Sequence, residues 1–413
     1  MVKKGYKQTE VGVIPEKWKD KKLGDVGKVC MCKRIFANQT SNTGEVPFFK
    51  IGTFGKEADA YISKGLYEDY KQRFSYPQKG DVLISAAGTL GRTIVFEGKN
   101  AYFQDSNIVW LDTDKELLCN EYLYHYYKVI KWGASEGSTI ARLYNGIICN
   151  THIALPDVEE QKQIATVLSE LDELMSLTEK QIAKKKAIKQ GAMQELLTGK
   201  RRLPGFSGEW ETKKLEDYCS LITKQTGFDY SAYIKPALIT RKMPNTFPMI
   251  QTINFRGRKF TFETDYYIPQ SVAMQFPNIV LNKKCVLFSI VGASVGNVGL
   301  YPGSITAFCG GAIGITRFRN EQDAEWVFNY MSSPDGQSQI QYVTKGGAQA
   351  TVTIADIRNF KIPTPEKGER YAISGILENM DHEIEALEKK LAKYRQIKQG
   401  MMQQLLTGKI RLV

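Results

Sequence analysis

The stretch IKQGAMQELLTGKRRL at Ile188–Leu203 returns as IKQGMMQQLLTGKIRL at Ile397–Leu412, 209 positions later, with thirteen of sixteen letters unchanged. Extended backwards without a gap, the repeat sets Ile164 against Ile373. Twenty of the forty positions from Ile164 to Leu203 are then identical. A duplication of this kind constrains the fold more than any single motif, because both copies must support the same local structure. In the second copy the apolar residues fall at Ile373, Leu377, Met380, Ile384, Leu387 and Leu391, in the alternating steps of four and three that make a heptad seam. The first copy offers Ile164, Leu168, Leu171, Met175 and Ile182, with Thr178, Lys185 and Lys189 as weak points. Both copies are predicted to be long helices, starting near Pro156-Asp157 and Thr364-Pro365 and stopping at Gly199 and Gly408. A narrow seam on a long helix needs a partner. The simplest partner is the other copy, packed antiparallel because a whole domain separates them; the alternative is that each helix packs on its own domain.

A weaker repeat precedes each helix. EKWKDKKLGD (Glu16–Asp25) matches GEWETKKLED (Gly208–Asp217) at Trp, Lys-Lys-Leu and Asp. DVLISAAGTLG (Asp81–Gly91) resembles CVLFSIVGASVG (Cys285–Gly296), and IALP (Ile153–Pro156) answers FKIP (Phe360–Pro363). The plan is domain 1–156, helix 157–203, domain 204–363, helix 364–413. Short apolar runs such as TIVFEG and SNIVWL, broken by Gly, Asn and Pro, mark the domains as mixed α/β. One helix per domain is predicted, around Asn120–Ile130 and Asp323–Met331. The fold class is α+β, two such domains alternating with two long helices that pair as an antiparallel coiled coil. Between the landmarks the two domains hardly match.

The 413 residues, 42% apolar, suit two domains plus connectors. There is no run of eighteen apolar residues to span a membrane, and the basic N-terminus lacks the apolar core of a signal peptide. Seven scattered cysteines fit free thiols in a reducing cytosol, so a cytoplasmic location is expected. The formal charge of +12 favours an anionic partner, with nucleic acid the commonest. Lys and Arg outnumber Asp and Glu by 22 to 17 in residues 1–156 and by 16 to 12 in residues 204–365. The excess therefore lies mainly in the domains and not in the repeated helices.

Catalytic signatures are missing. The chain has no Asn/Asp-Pro-Pro-aromatic tetrapeptide, no Pro-Cys nucleophile loop and no phosphate-binding G-x-x-x-x-G-K-[ST]. Its three histidines (His125, His152, His382) are not spaced as metal ligands, and Cys30 and Cys32 form a lone C-x-C. Binding chemistry remains. Basic residues interleave with aromatic and small polar ones in FFKIGTFGK, YKQRFSY, LITRKMPNTF and NFRGRKFTF, all read as loops. Arg can grip guanine O6 and N7, while Lys more often neutralises phosphate. The candidate DNA contacts are Lys50, Arg73 and the turn carrying Ser85, Thr89 and Arg92 in the first domain. In the second they are Arg241, Lys242, Arg256, Arg258 and Lys259. For each loop, a solvated face is the plain alternative.

The LLTGKxRL endings (Leu196–Leu203 and Leu405–Leu412), the IKQG before each, Pro15–Trp18 and ALPDVEEQKQIATVLSELD (Ala154–Asp172) carry a resemblance over the whole chain. It resembles the specificity subunits of type I restriction–modification systems. The resemblance implies two target-recognition domains on two helices that form an antiparallel coiled coil, and no catalytic activity in the chain itself. It also implies double-stranded DNA as ligand and two copies of an adenine-specific methyltransferase subunit as partners. Translocase–endonuclease subunits would join through them. S-adenosylmethionine, ATP and Mg are expected only in those partners, in a prokaryotic cytoplasm. One departure is the opening Pro-x-x-Trp, which the second repeat keeps only as Trp210. The rival from another class is a coiled-coil scaffold whose basic domains bind RNA or acidic proteins. It explains the heptads but not the near-identity of the helix ends.

Overall fold

The computed structural model describes residues 3–133, 142–344 and 350–412. Its longest elements are two helices of 39 residues each, Val158–Leu196 and Lys367–Leu405, roughly 58 Å long at about 1.5 Å per residue. Asp157 caps the first, its Oδ1 accepting the Glu160 N–H at 2.9 Å. Both end as the glycines require. Gly199 and Gly408 take φ of +72° and +66°, and the N–H groups of Arg201 and Ile410 reach back to the carbonyls of Glu195 and Gln404 at 3.1 and 3.3 Å.

The chain divides into two compact units, Met1–Glu179 with Lys389–Val413, and Lys180–Glu388. Each unit thus holds one domain, the start of one helix and the end of the other. In the first unit Glu160 pairs with Arg411, Asp172 with Lys398 and Glu179 with Arg395. As one segment advances its partner recedes, so the two run antiparallel. In the second unit Glu369 pairs with Arg202, Asp381 with Lys189 and Glu388 with Lys186. These are the same three pairs shifted by 209, with the roles of the helices exchanged. Each repeat supplies the acids of one unit and the bases of the other. That is a physical reason for the copies to be alike.

The apolar seam divides the same way. Ile164 and Leu168 are buried in the first unit's core, beside Ile153, Leu155, Leu405 and Leu406. Ile373 and Leu377 are buried in the second, beside Ile362, Leu196 and Leu197. The first turns therefore pack on their own domain and also receive the end of the other helix, which joins the two sequence-based alternatives. Towards mid-helix Ile182, Ile384 and Leu391 stay buried, whereas Leu171, Met175, Met380 and Leu387 are only half-buried. The seam is thinner there, and the ion pairs flank it.

The domains share one topology despite their unlike sequences. In the first, strands run in the order Gly27–Cys30, Ile108–Thr113, Val82–Ser85, Thr93–Val95, all antiparallel. In the second the order is Cys219–Lys224, Ile313–Phe318, Cys285–Ser289, Val298–Tyr301. A second sheet follows in each: Val46–Phe49 lies between Tyr61–Ile62 and Tyr102–Phe103, and Thr246–Ile250 between Tyr267–Pro269 and Ala307–Cys309, where the second domain adds a fourth strand, Val280–Leu281, at the edge. The expected domain helices stand at Asn120–Tyr127 and Asp323–Ser332.

Two readings need correction. YKQRFSY is not a loop: a helix spans Lys64–Arg73, capped by the Ser63 hydroxyl. The ends of the domains are also two residues away from the alignment of IALP with FKIP. Lys19–Lys22 pairs with His152–Leu155, and Glu211–Lys214 with Lys361–Thr364. Since Asp20 faces Ala154 and Thr212 faces Pro363, Ala154 corresponds to Pro363. The offset of 209 therefore already holds at His152, and these strand pairs close each domain at the foot of its helix.

Candidate functional site

A buried carboxylate clamps each domain to the helices. Glu160 and Glu369 have no exposed surface. Glu369 accepts from Arg202 Nε and Nη2, both at 2.8 Å, and from Trp210 Nε1 at 3.0 Å. Burial alone would raise its pKa, but these donors hold it below the ordinary value. Glu160 repeats the arrangement, with Trp18 Nε1 at 3.0 Å and Arg411 Nη2 at 2.7 Å. The unequal openings of the domains now make sense. The tryptophan is kept because its indole N–H completes the clamp. Pro15 serves the first unit alone, where it covers Gly408 so closely that a Cβ there would meet Pro15 Cδ at 2.4 Å. Sequence reasoning missed these glutamates and arginines. Their signal was identity at offset 209 away from the apolar seam.

About three turns beyond Glu160 on the same helix, Asp172 takes both Lys398 and Lys128. Burial would raise its pKa, but the two lysines lower it. His125, fully buried, contacts Ser169 Oγ through Nε2 at 2.9 Å. Burial, helped by Lys128 and Lys398, pushes it down to about 4, so the imidazole is neutral.

The candidate DNA contacts separate into two groups. In the second domain Phe255–Arg256 and Lys259–Phe260 form a hairpin. Arg258 lies 2.7 Å from both Glu325 and Asp381 and over the Phe328 ring, and Lys259 pairs with Glu388. Arg258 is therefore an anchor and not a base contact. Its charge is spent anchoring the hairpin to the C-terminal helix, and Lys259 adds to that anchor. Arg256, Arg241 and Lys242 are exposed. In the first domain Ser85 is buried, its Oγ accepting the Arg92 N–H at 2.9 Å and donating to the Thr89 carbonyl. Ser85 is thus a strut of the turn and not a reader. Arg73 ends a helix and pairs with Asp69 one turn earlier, a solvated surface pair. Lys50 is half-buried and pairs with Asp59 at 2.9 Å. Thr89 and Arg92 are exposed, Arg92 Nη1 donating to the Phe54 carbonyl at 2.8 Å.

The two domains differ in chemistry where their backbones agree. Ala86 N–H donates to the Asn107 carbonyl at 2.8 Å, as Ile290 N–H does to Ala312 at 2.9 Å. Ahead of that point the first domain carries Gln104-Asp105-Ser106-Asn107 and the second Cys309-Gly310-Gly311-Ala312. The polar version borders a groove of about 510 Å³, also lined by Arg34, Lys50 and Arg142. No sequence motif pointed to it. Among the described residues no cluster of His, Cys, Asp and Glu could hold a metal ion, and no helix is long and apolar enough to cross a membrane.

Two unlike domains of one plan, each joined to a duplicated and reciprocally paired pair of helix segments, define a protein built from a repeated unit. The chain belongs to the family of the type I restriction modification DNA specificity domain, which it matches over residues 15–187 and 207–396. It is the non-catalytic DNA-recognition subunit of such a system. It is 58% identical over 158 residues to a putative type I restriction enzyme specificity subunit of Haemophilus influenzae, covering 38% of this chain and 41% of that one. It is 27% identical to the putative MjaX specificity subunit of Methanocaldococcus jannaschii, over 98% of this chain and 97% of that one. The S subunit crystal structure from M. genitalium has the same fold, with a TM-score of 0.63 at 14% identity over 94% of this chain and 96% of that one. So does a chain from a type I system described for its complex assembly, with a TM-score of 0.55 at 16% identity over 96% and 99%.

Proposed function

We propose that each domain reads one half of an asymmetric, two-part double-stranded DNA target, and that the helices dock two copies of an adenine-specific methyltransferase subunit. Translocase–endonuclease subunits join through the methyltransferases, and S-adenosylmethionine, ATP and Mg belong to those partners. The observation that carries the reading is the contrast between like frames and unlike heads. The clamps and ion pairs recur position for position, with Lys186 standing where Arg395 does, while the segments that end in Asn107 and Ala312 share no side-chain chemistry.

The repeated helix ends support two equal docking places. Gly191 and Gly400 sit inside helices with nothing within 4 Å of a Cβ built on either. A helical glycine costs about 1 kcal/mol relative to alanine, yet both copies keep it. Ile188 and Ile397 are exposed one turn before, and Gln194 and Gln403 one turn after. An identical exposed face with room for close approach suits two copies of one partner. Methylation sequencing of cells that express this chain with its methyltransferase tests the whole reading. A two-part methylated motif with an unread gap is expected, and methylation without such a motif would refute it.

A further inference from the structure

We propose that the groove in the first domain reads a guanine through its major-groove edge; this rests on the DNA-reading role proposed above. Two side-chain amides border the groove, and the protein fixes their orientation. The Ile51 N–H lies 2.9 Å from the Gln104 amide, and Arg142 Nη2 lies 3.0 Å from that of Asn107. Both are donors, so the amide atom each one meets must be oxygen. Each amide is left with its NH2 to offer. Arg34 gives only Nε to Asp105, at 2.9 Å, and keeps its two terminal nitrogens on a side chain that is 61% exposed. The unspent groups of Arg34, Gln104 and Asn107 are all donors.

Asp105 also lines the groove, but these three free donors suit either a phosphate or the paired acceptors O6 and N7 of guanine. The placing of the donors decides between them. Arg34 pairs with Asp105 and Lys50 with Asp59, and Arg142, the third cation of the lining, spends Nη2 on the Ser106 carbonyl and the Asn107 amide, so the donors left to offer are mainly two oriented neutral amides, which favours a base edge over an anion. Ser106 supports the same assignment. Its φ of +58° is costly for a residue with a side chain, and it lies between Asp105 and Asn107 at the groove's border. In the second domain glycines replace this segment, and a Cβ on Gly311 would meet Gln225 Oε1 at 2.9 Å. The guanine site thus belongs to the first head alone.

The test uses the full chain with its methyltransferase and three variants, Asn107→Asp, Gln104→Glu and Arg34→Gln. Asn107→Asp keeps an acceptor for Arg142 but turns the free donor into an acceptor, so the fold is preserved while the reading is inverted. Methylation sequencing is expected to show one guanine of one half-site losing selectivity, with the other half-site unchanged. In binding assays on the wild-type motif, a deazaguanine lacking N7 at that position should weaken the unmodified chain about tenfold and leave Asn107→Asp unaffected. An unchanged half-site in all three variants would overturn the assignment. So would a uniform loss over all sequences with a salt slope lower by about one, which marks a phosphate contact. If the unmodified chain directs no two-part methylation, the proposed function falls first and the guanine site with it.

Discussion

Glu369→Gln is the sharpest probe of how a domain is held to the helices. The carboxylate accepts both Arg202 nitrogens at 2.8 Å and the Trp210 indole at 3.0 Å, and has no exposed surface. An amide of the same shape removes the charge and turns one acceptor into a donor facing a donor. Breaking a buried pair costs about 3–5 kcal/mol. Arg202 keeps 27% of its side chain in solvent, so about 3 kcal/mol is the expected loss for Glu369→Gln. For a unit of this size that corresponds to roughly 6–12 °C in melting temperature. Trp210 emission gives a local readout, since its N–H loses its acceptor. Glu160→Gln should cost a similar amount, because Trp18 and Arg411 repeat the geometry. A loss below about 1 kcal/mol at both sites would refute the idea that these clamps hold the domains.

Three further outcomes are expected. Arg258→Ala should loosen the second head through lost pairs to Glu325 and Asp381 without changing the salt slope, whereas Arg256→Ala should leave stability unchanged and weaken DNA binding. Fluorescence melting and duplex titration at several salt concentrations separate the two. Gly191→Ala and Gly400→Ala should each stabilise the isolated chain by about 1 kcal/mol while weakening assembly with the methyltransferase; unchanged assembly in size-exclusion profiles would remove that face from the interface. His125 is lowered from 6.5 to about 4, so the unfolded chain takes up its proton first as pH falls. About 3 kcal/mol of stability should therefore be present above pH 6.5 and lost by pH 4, and denaturant titrations of His125→Asn should flatten that slope.

Much of the frame was legible in the sequence because its signals are local. Apolar spacing and cap residues placed both long helices, with Gly199 and Gly408 at their ends. What each charge does was not legible. Arg256 and Arg258 read alike in NFRGRKFTF, yet one is exposed and the other pairs with Asp381, 123 residues away. Arg73 read as part of a loop because its helix carries few apolar residues. The groove escaped notice because Arg34, Gln104 and Arg142 meet only when three distant segments fold together. The mid-seam positions Leu171 and Leu387 are half-exposed because the pairs at Asp172 and Glu388 share the contact that apolar spacing alone assigned to them.

Replacing residues 204–363 by the corresponding domain of a relative, and sequencing the methylated sites in cells that carry the methyltransferase, asks whether unlike heads read separately from a like frame. One half of the motif should change to that of the donor, with the other half and the gap preserved. A motif altered in both halves would show that the two domains do not read separately.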